Sequence, residues 1–187
     1  MEFVDPIKDI EDINKIKAEL RLHSQRDVLL FVLGINTGIR VSDLLFLKVK
    51  DLWEEEGLKE FLYIKDEKNG ESRAFYLNNS ILKELGSYMK LFKLNDNDYL
   101  FKSKKNEQPI TRQQAYRIIN QAAKKVGVQG KIGTHTLRKT FGYHAYRKGI
   151  AISILMNIYN HHTPAETLRY IGVDKCEKQL IKVDVNL

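Results

Sequence analysis

Apolar residues return at intervals of three and four over residues 9–22, where Ile10, Ile13, Ile16 and Leu20 fall on one side of a helix. Asp9 and Asp12 stand at its start as a cap and its reciprocal acid. A second helix is predicted over about residues 25–35. Its stretch from Val28 to Ile35 is apolar all round, so it belongs inside, and Gly38 marks the turn beyond it. Residues 41–47 read as a short helix. The period then changes: Phe61, Tyr63, Phe75 and Leu77 are read as alternating with polar or charged neighbours on either side of Lys68-Asn69-Gly70, a hairpin pattern with Asn-Gly as its cue. Helical spacing resumes over residues 80–92, 111–126, 135–148, 152–159 and 164–170. Thr111 with Gln114, and Thr163 with Pro164 and Glu166, form helix-start boxes. The expected fold is mainly α with a small antiparallel β-sheet (α+β), the sheet inserted early.

Composition excludes several classes. The 187-residue length suits one compact unit, since single cores fill chains of about 100–200 residues. No apolar run approaches the roughly 18 residues of a membrane span, and the opening MEFVDPIKDIED is too acidic and polar for a secretion signal. A lone Cys176 leaves no intrachain disulfide framework and no thiolate cluster for zinc. A cytoplasmic protein with no membrane partner is the expectation. Lys and Arg number 31 against 24 Asp and Glu, a formal charge of +7. Such an excess suits a polyanion, whose counterions are released when basic side chains meet phosphates.

Singly, the candidate chemical residues have plain readings. Arg40 follows a glycine turn and could pair with Asp43. His135 and Arg138 lie one turn apart on one helix face, which by default is solvated. His161-His162 could be a turn, Lys68 a hairpin-tip lysine and Tyr170 a half-buried aromatic. Together they suit attack on a phosphodiester. Negative charge grows on the non-bridging oxygens, and arginine offers them a permanently charged planar fork. Two arginines from separate segments can hold the group from two sides. A tyrosine nucleophile, with a pKa of about 10 in water, needs nearby positive charge or a base, and a lysine on a flexible tip can deliver a proton.

These residues also carry a resemblance. Thr-Gly-Ile-Arg-Val-Ser-Asp-Leu-Leu-Phe-Leu, residues 37–47, resembles the first box of tyrosine recombinases of the phage-integrase family, with Arg40 as the first catalytic arginine and Asp43 as its supporting acid. Thr-His-Thr-Leu-Arg-Lys-Thr-Phe-Gly, residues 134–142, resembles the second box, His-x-x-Arg, with His135 and Arg138 in the catalytic positions. Asn160-His161-His162-Thr163 stands where the family has Gly-His-Ser-Ser, and Tyr170 follows His161 by the usual nine residues. Lys68 precedes Arg73 by five residues, as the family's catalytic lysine precedes a similar arginine. Lys65 is its rival in the hairpin. Asn160 in place of Gly, and His162 in place of Ser, are departures that bear on the turn carrying His161.

The resemblance implies the tyrosine recombinase catalytic-domain fold and a DNA strand transferase with Tyr170 as nucleophile. Arg40 and Arg138 would clamp the phosphate, with His161 donating to it. Lys68 would protonate the leaving oxygen, His135 would assist proton transfer, and Asp43 would orient the Arg40 region. It implies no cofactor and no metal, double-stranded DNA as partner, and a homo-oligomer, a tetramer on DNA and a monomer when free. Residues 1–187 would form a single catalytic domain, without the N-terminal domain that most members use to grip the other face of DNA. The tail at 174–187 would form a short helix, docking on a neighbour or folding back on its own domain. Three other readings compete: an inactive DNA-binding regulator with the same fold, a type IB topoisomerase, and an RNA-binding module. The last would need an aromatic sheet platform, for which one small hairpin is poor.

Overall fold

Asp9 accepts the Glu11 N–H at 2.7 Å and starts α1 (Ile10–His23), which buries Ile13, Ile16 and Leu20. In the computed structural model, which describes residues 4–54, 57–65, 70 and 72–173, this helix packs on α2 (Gln25–Thr37). The unbroken apolar run from Val28 to Leu33 makes α2 the buried axis of the molecule, with α1, α5 (Asn79–Leu91) and α7 (Thr134–Arg147) around it. α2 ends at Gly38, whose left-handed backbone (φ 68°) returns its N–H to the Gly34 carbonyl at 3.1 Å. Glycine is needed at both positions for space. A β-carbon on Gly34 would lie 2.6 Å from Leu137, and one on Gly38 2.4 Å from Phe141. The backbones of α2 and α7 therefore meet more closely than ordinary side chains allow.

Between these helices the chain runs through α3 (Val41–Leu45), α4 (Val49–Leu52), β1 (Trp53–Glu54), β2 (Gly57–Leu58), β3 (Phe61–Lys65) and β4 (Ser72–Tyr76). Beyond α5, α6 (Arg112–Lys125) opens with the expected box, Thr111 and Gln114 exchanging bonds at 2.8 and 3.2 Å. The last elements are α8 (Ile152–Tyr159) and α9 (Pro164–Ile171).

Three expectations change. The helix foreseen over 41–47 stops at Leu45, and a separate turn, α4, begins at Val49. Two antiparallel pairs form among the described residues, β1–β2 and β3–β4, where one was expected. On β3 the buried face carries Leu62 and Ile64, while Phe61 and Tyr63 face outward. Every residue from Phe61 to Ile64 is apolar, so the sequence held no alternation there to choose the face, and the aliphatic pair took the core. The hairpin tip with Lys68 and Asn69, and the tail at 174–187, lie outside the described residues. Among those described, no helix is long and apolar enough to cross a membrane.

Two apolar clusters result. The larger runs through α1, α2, α5, α6 and one side of α7. The smaller joins α8 and α9 through Leu155, Tyr159 and Ile171. It meets α7 at Gly142, where a β-carbon would lie 2.2 Å from the Tyr159 hydroxyl and 2.6 Å from Ile171. The N-terminal segment crosses back over α7. Asp5 exchanges bonds with Lys131 at 2.8 and 2.9 Å, and the Ile7 N–H donates to Thr140 Oγ1 at 2.9 Å. His144 Nε2 lies 2.9 Å from the Ile7 carbonyl. A carbonyl only accepts, so this contact sets the imidazole proton on Nε2.

Candidate active site

Arg40 stands at the corner between α2 and α3. Its backbone is extended (φ −64°, ψ 139°), its carbonyl takes the first helical N–H groups of α3, from Asp43 and Leu44, and its side chain is exposed. Asp43 Oδ1 accepts from the Ser42 hydroxyl at 3.2 Å, and among the described residues Asp43 makes no ion pair with Arg40. The corner is set by Gly38 and by Ile39, which is fully inside, so the arginine leaves the surface from a fixed base.

Arg138 differs from the solvated residue its spacing suggested: it is buried, while His135 one turn earlier is exposed. Its guanidinium donates to the Gly38 carbonyl through Nη1 and to the Ile158 carbonyl through Nη2 at 2.9 Å, and it lies 4.6 Å from the Tyr159 ring centroid. A buried cation is tolerated when carbonyls satisfy it. These two bonds use two of the five N–H donors of the fork. Arg73, from β4, donates to the same Ile158 carbonyl at 3.2 Å.

The turn after α8 keeps its form despite the departure at position 160. Asn160 adopts the left-handed conformation (φ 60°, ψ 46°) and caps α8. Asparagine is one of the few residues other than glycine that visit this region readily. The His161 N–H then reaches the Met156 carbonyl at 2.9 Å, and His162 gives its N–H to Glu166 at 3.1 Å. Thr163 starts α9 by accepting the Glu166 N–H at 3.1 Å. His161 Nδ1 lies 3.1 Å from the Thr167 hydroxyl. The Tyr170 ring is half-buried, 5.1 Å from Tyr159 and 5.1 Å from His161, the latter nearly perpendicular. Tyr159 itself is a packing residue: its hydroxyl donates to the Arg138 carbonyl at 2.9 Å.

The charges act on one another. Burial pushes the Tyr170 phenol above its ordinary pKa, and the positive charge of Arg138, close enough to donate to it, and then that of Arg40 pull it back. His135 is held below its usual value by desolvation first, then by Arg112, Arg138, Lys139 and Arg40. His161 is lowered by desolvation, with Arg138 and His162 adding to the effect and Glu166 opposing it. Burial also lowers Arg138, against the opposing influence of Tyr170 and Tyr159. Arg138 thus acts on His135, His161 and Tyr170 alike, and Arg40 on His135, Arg138 and Tyr170.

Beside them opens a cleft of about 900 Å³ lined by Arg40, Asp43, Tyr63, Lys65, Arg73, Arg138 and Asn160. His135, His161 and Tyr170 are not among its lining residues. Of the two hairpin lysines, Lys65 faces the cleft, and Lys68 is outside the described residues. Three participants were not singled out from sequence: Arg73, Arg112 and Lys139. Arg73 had a signal as the arginine of the second strand. Arg112 and Lys139 read only as basic residues beside a cap and a motif. Among the described residues, no group of three His, Cys, Asp or Glu side chains could hold a metal ion.

A sequence profile of the phage integrase family matches residues 7–177. The probable integrase/recombinase YoeC of Bacillus subtilis (strain 168) is 43% identical over 175 residues, 94% of this chain and 93% of that protein. Tyrosine recombinase XerA of Pyrococcus furiosus is 30% identical over 165 residues, 87% of this chain but 56% of its own, so the chain spans about half the length of such relatives. The crystal structure of XerA recombinase superposes with a TM-score of 0.76 at 25% identity, over 94% of this chain and 63% of that one. XerH site-specific recombinase in its post-cleavage complex with palindromic difH substrate does so with a TM-score of 0.72, over 93% of this chain and 51% of that one; its 20% identity speaks to fold alone.

Proposed function

The chain belongs to the phage integrase family, and on that premise we propose that it is a site-specific recombinase that cuts and rejoins double-stranded DNA through a 3′-phosphotyrosyl link on Tyr170, without metal or ATP. The observation that carries this reading is the setting of Tyr170: a phenol under the charge of Arg138 and Arg40, packed edge-on against His161. Relatives that resemble most of the chain, YoeC among them, are described as recombinases.

In this mechanism the Tyr170 oxygen attacks the scissile phosphorus, a P–O bond to tyrosine forms, and the bond to the 5′ oxygen breaks. Arg138, with donors remaining beyond its two carbonyl bonds, and Arg40, from the opposite corner, neutralise the non-bridging oxygens. His161, anchored through Nδ1 to the Thr167 hydroxyl, donates a further hydrogen bond to the same phosphate. The phenol proton passes to His135, whose pKa is held below its usual value by desolvation and then by its cationic neighbours. A hairpin lysine, Lys68 or its rival Lys65, protonates the leaving 5′ oxygen. Rejoining runs the same steps backwards, the phosphotyrosyl bond conserving the energy of the broken one. Exchange between two duplexes cuts four strands, so four copies of a protomer with one nucleophile are required. We therefore assign a tetramer on DNA and a monomer when free.

The test is a suicide DNA duplex, nicked so that the 5′ fragment diffuses away, drawn from a pool of candidate sites and incubated in EDTA. Wild type is expected to form an SDS-resistant protein–DNA adduct and Tyr170→Phe none. An adduct that survives in the variant would place the nucleophile elsewhere. DNA binding with no wild-type adduct on any substrate would leave a binding protein that keeps the fold and not the reaction.

A further inference from the structure

Lys139 follows Arg138 on α7, yet it points away from the cleft and is buried. Its ammonium donates to the Val4 carbonyl at 2.8 Å and stands 5.2 Å from the centroid of the Tyr170 ring. Val4 belongs to the segment that crosses α7, tied there through Asp5, Ile7, Thr140 and His144. Two residues after Val4, Pro6 lies against Gly172, the left-handed cap of α9: a β-carbon on Gly172 would lie 3.0 Å from the proline ring. Residues 4–7 thus touch the tyrosine helix twice, once through Pro6 on its cap and once through Lys139 on the ring.

A lysine is an expensive residue to bury unless its ammonium does something a neutral chain would not. Here it joins a main-chain carbonyl of the crossing segment to the face of an aromatic ring, whose quadrupole attracts a desolvated cation. The contact Lys139 makes with Tyr170 is to the face of the ring, while Arg138 and Arg40 act on the hydroxyl. Its grip is on the ring's position.

We infer that Lys139 is a positioning residue: with residues 4–7 it forms a strap that sets the place of the Tyr170 ring, so that this segment controls how the nucleophile is presented. The inference rests on the recombinase reading for its effect on rate, and on the fold alone for its effect on the ring.

The test uses full-length protein containing 3-fluorotyrosine, with the Tyr170 fluorine line identified by its absence in Tyr170→Phe. In free protein, Lys139→Met is expected to shift or broaden that line and leave those of the cleft and hairpin tyrosines in place. At saturating suicide DNA the same variant should form adduct about 10- to 100-fold more slowly, the scale on which small misplacements of reacting groups act. Its DNA affinity should stay within about twofold of wild type, because no phosphate contact is removed. Pro6→Gly loosens the strap from its other end without touching the buried lysine. It should move the Tyr170 line in the same sense by a smaller amount, and serves if Lys139→Met does not fold. An unmoved Tyr170 line in both variants overturns the strap. A moved line with an unchanged rate overturns its control of presentation, and a loss of rate matched by a loss of affinity shows Lys139 to be a DNA contact instead. Absence of any adduct from wild type defeats the recombinase reading, while the fluorine lines still decide whether the strap holds the ring.

Discussion

Arg138 rises from a helix locked into the larger core, with Gly34 and Gly38 of α2 pressed against its neighbours Leu137 and Phe141. Tyr170 rises from an eight-residue helix whose own cluster has three fully buried side chains, Leu155, Tyr159 and Ile171. The α8–α9 unit is joined to the rest by Phe141, Ala145 and Tyr146 of α7, which pack on its cluster, by hydrogen bonds at the Ile158 carbonyl and the Tyr159 hydroxyl, and by the Pro6 ring against Gly172. Arg138 thus stands on the larger core and Tyr170 on the smaller cluster. The proposed reaction, which forms and then releases a bond to the tyrosine, has use for both, since local opening is easiest where apolar contacts are fewest.

The sharpest way to break this contrast is Arg138→Ala, which removes the clamp and the tie together. Adduct formation should fall by about 100- to 1000-fold, and the buried Gly38 carbonyl left without this donor should cost about 1–3 kcal/mol in a thermal melt, while the Ile158 carbonyl keeps Arg73. A pair of glycine changes comes next. Gly34→Ala and Gly142→Ala each force a close contact costing about 1–3 kcal/mol, but in different places. The first should lower the cooperative melt of the whole molecule, and the second should speed amide exchange mainly over 152–171. Equal, global loss from both would erase the distinction.

Acid should act more gently. His135 and His161 both titrate below their usual value of about 6.5. The unfolded chain therefore takes up protons first as pH falls. The stability they contribute is complete above about pH 6.5 and is lost as pH drops through the folded values. Adduct formation at saturating DNA should decline over the same window, and His161→Gln should remove part of the stability slope. The smallest effect belongs to Asn160→Gly. Glycine adopts the same left-handed turn with ease, so stability should change by less than about 1 kcal/mol and the rate by less than about twofold.

Most helices were legible because each has a capped start and a clear period, as at Asp9, Thr111 and Thr163. β1 and β2 escaped because two-residue strands have no period to detect. The orientation of β3 escaped because Phe61-Leu62-Tyr63-Ile64 offers apolar residues to both faces. At the site, the residue types and spacings of Arg40, His135, Arg138, His161 and Tyr170 were readable, and so was the glycine turn before Arg40. The burial of Arg138 was not, since its acceptors belong to Gly38 and Ile158, 100 and 20 residues away. Lys139 was further still from reach: its acceptor, Val4, lies 135 residues upstream. What sequence conceals here is which basic residues face a cleft and which face the protein.

The Ile158 carbonyl accepts from both Arg138 of α7 and Arg73 of the hairpin strand. Because the acceptor is main chain, no exchange of the side chain at 158 can delete it. Mutational drift at that position is free to retune packing in the small cluster while the junction of hairpin, α7 and α8 stays wired. Heredity can reach this joint only through its two donors, and each of those is answerable to the cleft it lines.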